Sequence, residues 1–312
     1  MRAAEGLDRR FTRLWLAATV SFVGDGVMLA AFPLLAATLT DSPLLIAGAQ
    51  VARWLPWLIT GLFGGVLADR LDRRKMMIAV DSIRAILVAV LAVAVVGGWD
   101  SIPLLYVVAF GLGIGETFFD PAAQALLPNI VVDERLERAN GRLYASESVA
   151  KELLGPAIGG ALFAIAAWTP FLIDSLSFAV AALVIAGLIG SFRTVAAGDV
   201  QVASTIRKEI REGWQFLKAH ALLRTLAIFG ALLNLASGAV EGTLVVFALR
   251  SLHLTDVGFG LLLACAAVGG TAASLVADRV TDRVGPGVVL IGGYFMSGIA
   301  MCAAAFTSNS PA

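Results

Sequence analysis

Four acids in this chain lie in apolar surroundings with no basic residue within four positions: Asp25, Glu116, Asp174 and Glu241. A charge at the centre of a membrane helix costs about 2.5–3.5 kcal/mol on insertion scales, so an acid kept there needs a reason. Burial favours the neutral form of a carboxyl and water favours the ionised one. Such a group can carry a proton or hold an organic cation. Asn234 stands in the same apolar run as Glu241 and adds a neutral polar group. Three other acids have a local base: Asp81 with Arg84, Glu147 with Lys151, and Asp69 with Arg73. Pairs spaced three or four apart share a helix face, and these are expected to neutralise themselves.

Other chemistries find little support. The two cysteines, Cys265 and Cys302, both lie in apolar runs and read as packing residues. The two histidines, His220 and His253, flank one run from opposite ends, so no compact metal site is expected. There is no Gly-x-x-x-x-Gly-Lys-Ser/Thr string for ATP, no His-Glu-x-x-His and no Gly-x-Ser-x-Gly. An enzyme, a cofactor and a nucleic-acid partner are therefore not expected.

The elements that position the acids are membrane helices. Of 312 residues, 59% are apolar and 15% charged, with mean hydropathy +0.86. Soluble domains carry about 45–50% apolar and about 25% charged residues. The apolar excess comes in blocks, which predicts an all-α polytopic membrane protein of about nine spans. Their expected limits are 14–39, 44–68, 76–97, 102–127, 143–167, 169–190, 222–249, 258–277 and 287–306. The first run follows Arg9, Arg10 and Arg13, but it is too long for a signal core and contains Asp25.

Cations set the expected orientation. Arg2, Arg9, Arg10 and Arg13 precede span one; Arg70, Arg73, Arg74 and Lys75 follow span two; Arg135, Arg138 and Arg142 follow span four. Arg193, Arg207, Lys208, Arg211, Lys218 and Arg224 follow span six, and Arg279 and Arg283 follow span eight. All fall on one side if the N-terminus is cytoplasmic, leaving Arg250 in an outer loop.

The pattern divides the chain into an N-terminal six-helix bundle (1–190), a linker (191–221) and a partial C-terminal bundle (222–312). In the linker, Ile206, Ile210, Trp214 and Leu217 recur at helical spacing among basic residues, as in an amphipathic helix on the inner leaflet; a solvated tether is the alternative. Leu39-Thr40-Asp41 recurs as Leu254-Thr255-Asp256, and Ala68-Asp69-Arg70 as Ala277-Asp278-Arg279, roughly 210 residues later. Spans seven to nine thus echo spans one to three.

Gly65-x-x-x-Asp69-Arg70-x-x-Arg73-Arg74, set between spans two and three, resembles the signature of the major facilitator superfamily, with Asp72 where the family has glycine. The resemblance implies twelve helices in two six-helix bundles, so this chain is expected to be a C-terminally truncated member. It implies that spans one, four and seven line a central cavity, which would gather Asp25, Glu116 and Glu241. It also implies a cytoplasmic gate of Gly65, Asp69, Arg70, Arg73 and Asp120. Gly155-Pro156-Ala157-Ile158-Gly159-Gly160 is similar to a helix-packing signature of superfamily antiporters, with Lys151 where an earlier glycine is usual. Arg53-Trp54-Leu55-Pro56-Trp57, with Asp25-Gly26 and Phe119-Asp120-Pro121, resembles the bacterial efflux branch that includes macrolide and siderophore exporters.

The expectation is a secondary transporter in a bacterial plasma membrane. It would be a monomer exporting a small organic compound, such as a drug or metabolite, as an antiporter against protons. Asp25, Glu116, Glu241, Asn234 and Asp174 would form the proton or substrate pathway. A proton-coupled importer and a truncated, non-transporting membrane partner are the alternatives.

Overall fold

The structure is a computed structural model. It describes residues 9–187, 211, 214–285, 287–289, 291–293, 295, 296, 298 and 299, without the side chains at 58, 59, 61–70, 227, 230–237, 239 and 278. Among the described residues every regular element is a helix. Six of these helices are long and apolar enough to cross a membrane by length and composition.

The first half comprises α1 (Arg9–Leu39), α2 (Pro43–Arg70), α3 (Arg73–Gly97) and α4 (Ile102–Ile130). It continues through α5 (Asp133–Glu147), a π-helical segment (Ser148–Leu154), α6 (Gly155–Ile165) and α7 (Thr169–Ala186). The second half contributes α8 (Ala221–Val246), its π-helical end (Phe247–Ser251) and α9 (Asp256–Val284). Helical residues resume at 287 and run in part to 299, where the ninth span is expected. The last part of that span, with Cys302, lies outside the described residues, as does most of the predicted amphipathic helix; 214–219 of it is helical.

Helix boundaries follow local chemistry. Asp72 caps α3, its carboxylate accepting from the Lys75 N–H at 3.3 Å. Gly98 ends α3 with φ 70°, the left-handed region in which a glycine is unstrained. The unusual Asp72 in the loop thus has a structural use. Pro103 and Pro170 stand in the first turns of α4 and α7, where no backbone donor is lost. Thr255 caps α9 by accepting from the Gly258 N–H at 3.2 Å.

α2 packs on α4, α3 on α4 and α7, and α1 on α6 and α7. Two apolar clusters hold them. One includes Phe32, Leu35, Leu91, Leu105, Phe171 and Phe178, and takes in Val245, Ala248 and Phe259 of the second half. The other gathers Phe11, Leu14, Met77, Leu126, Ala139 and Ile185 near the basic loops. The outward faces stay apolar: Ile83, Ile86, Val90 and Val93 of α3 form an exposed stripe. A water-facing helix would carry polar residues there; a lipid-facing one would not.

Candidate functional site

Glycines on the inner faces let the first-half helices approach closely enough to set charges side by side. Gly24 and Gly26 flank Asp25 on α1. A Cβ at Gly24 would collide with Asp174 and Ser177 of α7, and one at Gly26 with the backbone of Ala150 and Lys151. Both neighbours therefore come up against the Asp25 turn. On α4 a Cβ at Gly113 would strike the Arg53 carbonyl, and one at Gly115 the Arg84 side chain.

A close charged contact joins Arg53 of α2 to Glu116 of α4. Arg53 Nη2 donates to Glu116 Oε1 at 2.5 Å, with the side chains only 12% and 18% exposed. Below it the Thr60 and Thr117 hydroxyls share a 2.8 Å hydrogen bond, again α2 to α4. Glu116 has no base on its own helix face; its counter-ion comes from another helix. Arg53 is the residue that local spacing misses. The signal was present, since Arg53 is itself a mid-span cation with no acid nearby in sequence and must find one elsewhere.

Asp25 is partly buried, and the charges of Lys151, Arg84, Glu116 and Arg53 act on it electrostatically. Asp120 is also partly buried, within electrostatic reach of Arg84, Glu116, Lys151 and Asp25. Asp174 is 1% exposed. Ser177 Oγ lies 3.4 Å from its Oδ1, and its Oδ2 has no hydrogen-bond partner. Asp25, Glu116, Asp120 and Asp174 thus share one polar centre with Arg53, Arg84 and Lys151. A centre of both signs in a low-dielectric bundle makes each charge sensitive to any ion entering or leaving.

The locally paired residues behave in two ways. Lys151 Nζ donates to Glu147 Oε1 at 3.2 Å, as spacing predicts. Arg84 and Asp81 are 3.7 Å apart, but both Asp81 oxygens and Arg84 Nε and Nη2 lack hydrogen-bond partners. The Arg84 guanidinium lies instead 5.2 Å from the Phe119 ring centre and 5.4 Å from that of Phe178. Self-neutralisation is therefore incomplete at Asp81, and Arg84 leans on aromatic faces.

The remaining expected residues lie apart. Glu241 is exposed on α8, next to Gly242, which packs on Ala47 of α2. Arg73 Nη1 donates to the Ala125 carbonyl of α4 at 2.9 Å. The side chains of Asp69, Arg70 and Asn234, and the surroundings of Gly65, lie outside the description.

The Gly155-Pro156-Gly159-Gly160 face serves two partners. Cβ atoms at Gly155 and Gly159 would meet the backbone of Gly26 and Val27 of α1. One at Gly160 would meet the Asp256 carbonyl, and one at Gly260 the Pro156 carbonyl. The first seam lies within the first half; the second joins α6 to α9 across the halves. Small residues permit both approaches.

The chain is similar to known transporters. A family model described as "Transmembrane secretion effector" matches residues 7–311. Macrolide efflux protein A of Streptococcus pyogenes is 28% identical over 228 residues, covering 72% of this chain and 55% of the relative. The MFS-type transporter YkuC of Bacillus subtilis is 28% identical over 328 residues, covering 96% of this chain and 71% of the relative. A solved bacterial homolog of the human lysosomal transporter Spinster, inward-facing and unoccupied, superposes with a TM-score of 0.68 at 15% identity. That match covers 89% of this chain and 63% of the solved one. The chain thus spans about half the length of the macrolide efflux relative.

Proposed function

Because the chain belongs to the transmembrane secretion effector family of major facilitator transporters, we propose that it exports a small organic compound across the bacterial plasma membrane in exchange for protons. The family is one of transporters rather than enzymes. The observation that carries the reading is the shared polar centre, anchored by the 2.5 Å Arg53–Glu116 pair. A buried pair whose partner is removed leaves an uncompensated charge, so the centre resists losing one ion without gaining another. Proton entry at Asp25 or Glu116 changes that balance, and so does a charged substrate. This is the requirement for exchange.

Asp25, Glu116, Asp174 and, from the second half, Glu241 and Asn234 are assigned to the proton or substrate pathway. Gly65, Asp69, Arg70, Arg73 and Asp120 are assigned to gating at the end holding the basic loops, which faces the cytoplasm with the N-terminus. The bundles 1–190 and 222–312 rock about the site in alternating access. Support for the rocking comes from how the halves meet. Buried second-half residues, among them Val245, Ala248 and Phe259, cluster at the end away from the basic loops.

The relative's name supplies a substrate to try. Inverted vesicles carrying the chain, acid inside, should accumulate erythromycin faster than empty vesicles, with the gain abolished by a protonophore. Asp25→Asn and Glu116→Gln should each abolish the gain. Undiminished uptake in both variants refutes the assigned role of these acids. Uptake no faster than in empty vesicles refutes macrolide export by this chain.

A further inference from the structure

Arg250 is the cation that the charge pattern leaves alone on the outer side. The structure gives it a partner in the other half of the molecule. Its Nη1 donates to the Asp41 carbonyl at 2.8 Å, and its Nη2 to Asp41 Oδ1 at 2.8 Å. Asp41 sits in the connection between α1 and α2, and Arg250 in the π-helical end of α8. The Arg53–Glu116, Arg84–Asp81 and Lys151–Glu147 pairs stay within the first half; this one crosses to the second.

The backbone around Arg250 is fixed. Leu252 N–H donates to the Phe247 carbonyl at 3.1 Å and Leu254 N–H to the Ala248 carbonyl at 3.0 Å. His253 between them is held at φ 53°, a conformation that side chains other than glycine seldom adopt. The guanidinium is thus presented from a set turn, not from a loose loop.

The internal repeat shows that the contact is not a by-product of symmetry. Asp41 corresponds to Asp256, and by the same alignment Arg250 corresponds to Leu35, which is buried and cannot pair. The Asp256 end of the relation is instead a backbone contact, the Asp256 carbonyl over Gly160. One side of the pseudo-symmetric seam is sealed by small residues, the other by charge.

We propose that Arg250 and Asp41 form a latch that holds the halves together at the end away from the basic loops and breaks when that end opens. The inference rests on alternating access. The Asp41 side chain is fully exposed and Arg250 is 42% exposed, so the pair is wet. An exposed ion pair shifts an equilibrium by only about two- to five-fold, which suits a contact that must break in every cycle.

The test uses the full chain in membranes with Cys265→Ser and Cys302→Ser. A reporter cysteine at Leu254, half-buried beside the latch, is titrated with a membrane-impermeant maleimide. Asp41→Asn and Arg250→Gln should each speed labelling about two- to five-fold. Raising salt should speed the parent but not Arg250→Gln. The exchanged pair Asp41→Arg/Arg250→Asp should label more slowly than either single variant. Single variants that label at the parent rate overturn the latch, and so does an exchanged pair no slower than they are. If the latch passes while acid-loaded vesicles still fail to accumulate erythromycin, the latch stands and macrolide export does not.

Discussion

The two ends of the molecule are tied in opposite ways. At the end with the basic loops, the contacts among the described residues stay inside the first half. Arg13 Nη1 donates to the Gly187 carbonyl at 2.7 Å, and Arg74 donates to the Ile185 and Ala186 carbonyls, so two arginines finish the C-terminus of α7. Arg142 lies 5.2 Å from the Trp15 ring centre, and Trp15 Nε1 donates to Ser146 Oγ at 2.8 Å. At the opposite end the contacts cross between halves, through Gly160 on Asp256, Gly260 on Pro156, and Asp41 on Arg250. The first set makes one half a rigid body. The second set joins that body to its counterpart. A molecule built so bends at the joint before it bends within the half.

The contrast is best broken at the two seams of α6. Gly155→Leu would drive a side chain into the backbone of Gly26, and overpacking of this kind costs about 1–3 kcal/mol, occasionally more. It should unfold the first half, seen as loss of the folded monomer in detergent. The atoms nearest a Cβ at Gly160 belong to Asp256 and Gly260 of the second half. Gly160→Leu should leave the first half folded, while a disulfide between Asp41→Cys and Arg250→Cys forms at least several-fold more slowly. Equal damage from both substitutions would erase the distinction between the seams.

The next largest effect belongs to the polar centre. Arg53→Met strands Glu116, and breaking a buried pair destabilises by about 3–5 kcal/mol. Arg53→Met/Glu116→Leu should recover most of that loss, because neither charge is left alone. Thermal unfolding of the two single variants and the double variant measures the coupling. A double variant as unstable as the sum of the singles would mean that the pair is not a unit.

The smallest effect sharpens the rigid end. Arg74→Gln removes bonds to two carbonyls of α7, worth about 1 kcal/mol near a helix C-terminus. Hydrogen exchange should quicken about five-fold in the last turn of α7 and stay unchanged in α9. Faster exchange in α9 would show that the two ends are coupled after all.

Much of the fold was legible in the sequence because its causes are local. Apolar runs and cations after even-numbered spans both act within a few residues. The loop string around Asp69 and the Gly155–Gly160 string are likewise short. The candidate site was legible only in its acids. Asp25 and Asp120 read as separate features, one a proton site and the other a gate, yet both feel the charges of Arg84, Glu116 and Lys151. Arg53 stood out as a lone mid-span cation, but its partner did not, because Glu116 lies 63 residues away and helix periodicity carries no information at that range. For Asp81 and Arg84 spacing gave proximity but not bonding, since Phe119 and Phe178 compete for the guanidinium.

The wide turn at Ser148–Leu154 gives the fifth span a spare residue just before its Gly-Pro string. Were that surplus taken up into ordinary α-helix, everything beyond it would swivel by about 100°, the arc one residue subtends. Gly160 would then turn off Asp256, and the same motion would drag Lys151 around the Asp25 turn. A ratchet of this kind would let an event at the acids be felt at the far seam through a single helix.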